Sequence, residues 1–337
     1  MAREPTLRGA WALHVRVDRL LHPPSGDDSP PIEAHRDEEL RLEAARSMLE
    51  QAHAESSPDV RLRFDLGIVY EELATVTRRV DLHEKVIALL GPALERASNH
   101  PAATEALEAL VYAYAKLDRP QDELRTWKIY IPRLVDARAR VAPMMNMGEA
   151  EMRLGRLEEA VETFRDTIRL CETIPSSSTS NSTYALTLWD LALALDRSGD
   201  ATTALQMAAK AKGWTWSEVI GWGPAQALRT VTGWDVIRDD ESVFFVPEWD
   251  RDWYLALGFV ASARAVDDPR DAADLWAQAE AHWDTYIRRA TSAGGPNPWL
   301  ALARRRHDRT HAARLDAEKQ AAKWPPRVPP KGETRVD

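Results

Sequence analysis

Residues Met144–Leu170 read MMNMGEAEMRLGRLEEAVETFRDTIRL. Met144, Met147, Ala150, Met152 and Leu154 recur near i, i+3, i+4 and i+7, and so do Leu157, Ala160, Val161, Phe164 and Ile168. That spacing puts each set on one face of a helix. Gly155 stands between the sets, where the first helix must stop, because a residue without a Cβ tolerates the left-handed cap. The stretch predicts two amphipathic helices joined by a tight Leu154-Gly155-Arg156 turn. Gly148 and Ala160 are small where two helix backbones would approach, and Phe164 sets a ring one turn after Ala160.

The same pattern recurs on both sides. Val60–Leu73 carries Gly67 where Gly148 stands, with Phe64 and Tyr70 three residues to either side, followed by a longer helical stretch over Leu82–Ala97. Ala102–Leu117 pairs with Gln121–Val135, where Trp127 stands in the place of Phe164. Tyr184–Asp196 and Ala201–Lys212 make a further pair, with Gly199 in the turn, Ala204 where Ala160 stands and Ala208 at the aromatic position. The polar run Pro175–Thr183 before it is predicted as a loop, as is His22–Pro31, by their Ser, Pro and Gly content.

Gly148, Gly155, Ala160 and Phe164 stand at the spacing of the tetratricopeptide repeat, a helix-turn-helix unit of 34 residues in that family. The chain resembles this family, with Met144 in place of its first-helix aromatic and no closing proline near Glu172. The resemblance implies an all-α fold: an α-solenoid of irregular helix pairs, since a single pair cannot bury its apolar face alone. The expected organisation is a non-repeat segment (1–45), repeats (46–212), a Trp-rich insert (213–250), C-terminal helices (251–324) and a disordered Pro-rich tail (325–337).

Two segments break the helical rhythm. Trp11, Leu13, Val15 and Val17 alternate with polar or small residues, which predicts a strand, while Leu7, Trp11, Val15 and Asp18 fit a helix; the pattern supports both. The insert holds Trp214, Trp216, Trp222, Trp234 and Trp249, five of the chain's 13 tryptophans. There Trp234–Arg238 and Val243–Val246 flank Asp239–Ser242 and predict a small β-hairpin. The ring cluster reads as a plug packing the insert down, or as a platform for a carbohydrate or lipid.

The 337 residues carry a net charge of −9, against a general nucleic-acid binder, which needs a basic face to displace counterions. No apolar run is long enough for a membrane span and no leader-like stretch opens the chain, so the expected location is cytoplasmic, with export if the true start lies upstream. Arginine outnumbers lysine 36 to 8, which suits a bacterium with GC-rich DNA. Cys171 is the one cysteine, so no disulfide or CxxC motif exists. His307 and His311 share a helix face, but Arg304, Arg305, Arg306 and Arg309 surround them and disfavour a metal cation. Paired acids such as Glu158-Glu159 sit at helix starts, where the helix dipole favours them. No nucleophile elbow, zinc-protease, phosphate-loop or dinucleotide motif appears, so neither enzyme activity nor a cofactor is expected.

In the family, first helices line a concave face that grips peptides. Carried over position by position, that face would hold Arg61, Phe64, Ile68, Glu71 and Glu72, then Glu105, Glu108, Tyr112, Ala115 and Lys116. It would continue with Ala142, Met145, Glu149, Met152 and Arg153, then Leu186, Trp189, Leu193, Asp196 and Arg197. Lys116, Arg153 and Arg197 share one repeat position and would form a cationic ladder beside Tyr112, Met145 and Trp189. The implied function is a non-enzymatic scaffold or adaptor whose partner is an acidic-hydrophobic peptide or a C-terminal carboxylate. The same bases are also spaced to pair with Glu108, Glu149 and Asp196 as surface ion pairs.

Overall fold

A computed structural model describes residues 7–21, 31–175, 177–220, 227–239, 243 and 245–325. The expected loop over residues 22–30, the turn residues 240–242, Trp222 and tail residues 326–337 lie outside these. The described chain is helical throughout except for one strand pair. It divides into two compact units between Arg156 and Leu157, inside the turn of the stretch quoted above.

The first unit runs α1 (Leu7–Leu21), α2 (Pro31–Gln51), α3 (Val60–Thr77), α4 (Val80–Ala97), α5 (Ala103–Lys116), α6 (Pro120–Tyr130) and α7 (Ala137–Arg153). Consecutive helices pack on each other, and α3 also packs on α5. Residues 11–18 are helix: Ala10, His14 and Val17 are buried at i, i+4 and i+7, and the His14 ring nitrogen Nδ1 bonds Asp65 of α3 at 2.9 Å. At Gly67 the α3–α4 contact is so close that a Cβ would meet the Leu90 side chain at 2.3 Å, which is why a glycine stands there. Gly155 takes φ +74°, and the N–H groups of Gly155 and Arg156 close onto the carbonyls of Met152 and Glu151.

The second unit runs α8 (Leu157–Thr173), α9 (Ser178–Ser198), α10 (Ala201–Gly213), β1 (Thr215–Ile220), β2 (Ala227–Thr232), α11 (Gly233–Asp239), α12 (Asp250–Ala265), α13 (Pro269–Ser292) and α14 (Leu300–Ala321). Here α9 packs on α8 and α10, and α13 on α12 and α14. Phe164 of α8 is fully enclosed. Two expectations are corrected. The Ser-rich run is not all loop: Ser177 caps α9, its Oγ accepting from the Ser180 N–H while Ser180 Oγ accepts from the Ser177 N–H, so the helix starts at Ser178. The β-hairpin lies earlier than expected, with Thr215 opposite Thr232 and Ile220 opposite Ala227. Trp234–Arg238 belongs to α11 because Thr232 and Asp235 cap it reciprocally, through bonds of 2.8 and 3.1 Å.

Candidate functional site

In the first unit α1, α3 and α5 enclose an open recess of about 250 Å³. Ile68, Glu71 and Glu72 reach it from α3, and Glu105, Glu108 and Tyr112 from α5. All six hold first-helix groove positions in the repeat register, where helical spacing returns one face every three or four residues. His14 and Asp18 of α1 complete the wall. Tyr112 sets its ring edge-on against the buried Trp127, with centroids 5.9 Å apart. Burial, reinforced by repulsion from Glu72, pushes the Glu71 carboxyl up to about 7. Burial also raises Asp65, against the opposing pull of His14. The recess is therefore acidic, opposite in sign to the cationic ladder.

The ladder cations have other work. Lys116 is exposed, and its charge acts on Glu71. Arg153 reaches back from α7 to the turn before α6, where Nη1 meets Asp118 Oδ1 at 3.1 Å and Nη2 donates to Glu123. Glu123 is 2% exposed and also accepts from Trp127 Nε1 at 3.2 Å. Burial raises its pKa, and the Arg153 charge opposes that rise. Met145 is buried in the first unit, and Glu149 is half-buried.

Trp189 and Arg197 are corrected as groove residues, because both are enclosed within the second unit. Trp189 donates to the Gly233 carbonyl at 2.9 Å. Arg197 bonds Asp250 at 2.8 Å, with side-chain exposures of 2% and 6%, and its guanidinium lies over Trp253 and Trp299. The adjacent Asp196 accepts from Trp253 Nε1 and pairs with Arg306 at 2.7 Å. A buried charge is tolerated only when paired and hydrogen-bonded. These pairs tie the end of α9 to α12 and α14, a tie that neighbouring-residue spacing does not reveal.

The Trp-rich insert packs inward where it is described. Trp216 and Trp234 are buried, and Trp234 meets Phe259 edge-on at 5.0 Å. Trp214 and Trp249 are half-buried. His307 and His311 face carboxylates of α13: His307 Nε2 lies 3.1 Å from Asp284, and His311 Nδ1 lies 2.8 Å from Glu280. Among the described residues no group of three His, Cys, Asp or Glu side chains could hold a metal ion.

Sequence reasoning also missed a second recess, in the second unit, bounded by Arg264, Arg306 and Arg309. The signal was available, since Arg306, Arg309 and Ala313 share one face of α14, but it reads as a solvated basic face until α12 and α13 are set beside it.

No family model and no curated protein matches the chain. Solved structures similar to it include two whose repeats are described as tetratricopeptide or TPR-like. An array of nearly identical kinesin light chain TPR-like repeats from Podosopora anserina is 18% identical, with a TM-score of 0.41 over 63% of this chain and 95% of its own. The STAND protein PH0952 from Pyrococcus horikoshii, with a tetratricopeptide repeat sensor, is 14% identical, with a TM-score of 0.48 over 87% of this chain and 41% of its own. BtubC from P. vanneervenii is 12% identical, with a TM-score of 0.40 over 92% and 99%.

Proposed function

We propose that the chain is a non-catalytic protein-interaction scaffold that holds a segment of a partner protein on the first-helix face of α3 and α5. The observation that carries this reading is the open recess in which Ile68 and Tyr112 meet Glu71, Glu72, Glu105 and Glu108. An apolar wall with converging charges suits a peptide whose apolar side chain sits beside a cation. Its sign favours a lysine- or arginine-bearing segment over the acidic-hydrophobic partner that the ladder implied. Arg153 is taken by Asp118 of the α5–α6 turn and by Glu123 of α6, so it is not part of the docking charge. No helix among the described residues is long and apolar enough to cross a membrane.

The test is a pull-down from native cell extract, comparing the full chain with a Glu72→Lys, Glu105→Lys variant of equal helicity by circular dichroism. The expected result is a protein retained by the wild type, lost by the variant, and released by a peptide copying its cationic-apolar segment. Equal retention by both chains would remove the recess from the reading. Retention without release by any cationic segment would remove the proposed partner chemistry.

A further inference from the structure

In the second unit, faces of α10, α12, α13 and α14 converge on a recess of about 110 Å³ near the end of α9. Its floor is apolar: Leu205, Leu257, Val260 and Trp283. Its charged groups are Arg264, Arg306 and Arg309 with Asp196. Asp196 is taken by Arg306 at 2.7 Å. Arg264 and Arg309 are exposed, and neither has an ion-pair or hydrogen-bond partner among the described residues. Trp283 is 1% exposed, and its indole N–H has no acceptor among the described residues. The indole N–H is itself enclosed, so Trp283 gives the recess ring surface and not a reachable donor.

Size selects the occupant. A cavity of about 150 Å³ encloses benzene, and sites for whole small molecules run to roughly 300–1,000 Å³. At about 110 Å³ this open recess suits one branched aliphatic side chain of a longer segment. The two free guanidinium groups at its edge select carboxylates beside that side chain, since arginine holds carboxylates in a bidentate fork.

We propose that this recess is a second docking site, which takes a leucine-like side chain of a partner segment while flanking Asp or Glu side chains meet Arg264 and Arg309. It shares no residue with the first-unit recess and carries the opposite charge, so neither proposal depends on the other.

The probe is a fluorescein-labelled peptide Asp-Glu-Leu-Leu-Asp-Glu, titrated with the full chain by fluorescence polarisation. Saturable binding is expected, weakened at least tenfold by Arg264→Glu with Arg309→Glu. Ala313→Leu, which fills the recess and keeps both arginines, is expected to weaken it comparably. The Glu72→Lys, Glu105→Lys variant is expected to leave affinity within twofold. If charge reversal lowers the melting midpoint, Arg264→Gln with Arg309→Gln provides the same readout. Absence of saturable binding to the wild type would overturn the proposal, as would unchanged affinity in the arginine variants. Equal affinity for a peptide with both leucines replaced by alanine would reduce the site to charge attraction and overturn it as well.

Discussion

Asp190 lies inside the second unit with one oxygen accepting from the Tyr254 hydroxyl at 2.7 Å and the other without a partner. Burial pushes its carboxyl up to about 7 from an ordinary 3.8. Between those values the folded chain binds a proton that the unfolded chain has released. This group's contribution to stability therefore falls as pH rises from about 4 to about 7, then stays flat. Asp190→Asn mimics the protonated form and keeps an acceptor for Tyr254. It is expected to match the wild type near pH 4 and to exceed it by about 2–4 kcal/mol at pH 8, where ionising the buried carboxyl costs most. Urea midpoints of both chains across that range provide the check. A constant difference between them would mean that Asp190 is ionised throughout.

At the scale of helices, Arg153 is the clearest case of a side chain whose role differs from its repeat position. It staples α7 to α6 and to the turn before it through Glu123 and Asp118. Removing the cation leaves Glu123 buried beside Trp127 alone. Arg153→Ala is therefore expected to cost about 3–5 kcal/mol, the range for breaking a buried pair from one side. Adding Glu123→Gln is expected to recover part of that loss, because an amide tolerates burial better than an unpaired carboxylate. A loss under about 0.5 kcal/mol on Arg153→Ala would show the pair to be an ordinary surface bridge. Periodicity made Gly67 and Phe164 legible, because each is set by which face of a helix it occupies, and Gly155 marked the turn; the positions from Ile68 to Tyr112 are implied by the repeat resemblance and not by spacing alone. Periodicity could not assign Arg153 or Arg197. Their long side chains reach partners 30 and 53 residues away, and spacing within one helix says nothing of a neighbour's charge. The displaced hairpin has a local cause: Trp234–Arg238 beside the acidic turn Asp239–Ser242 suggested a strand, but the Thr232–Asp235 cap sets a helix.

At the scale of the chain, the division at Arg156 gives each unit its own means of cohesion. The first holds a continuous apolar cluster from Ala10 to Ala150. The second is tied by the Asp196–Arg306 and Arg197–Asp250 pairs around Trp253. Chains with separate cores depart from all-or-none unfolding, and the placement of tryptophan makes that departure measurable. Only Trp11 and Trp127 precede Leu157, so tryptophan emission reports almost entirely on the second unit, while far-ultraviolet circular dichroism reports helices in both. Arg197→Ala strands Asp250, which is 4% exposed, and is expected to cost about 3–5 kcal/mol in the second unit. Under guanidinium, the emission midpoint of this variant is expected to fall well below that of the wild type, while its circular dichroism curve splits into an early step and an unshifted later one. If emission and circular dichroism stay superimposed in the variant, the two units unfold as one cooperative body, and stabilising the buried pairs of one would then protect the other.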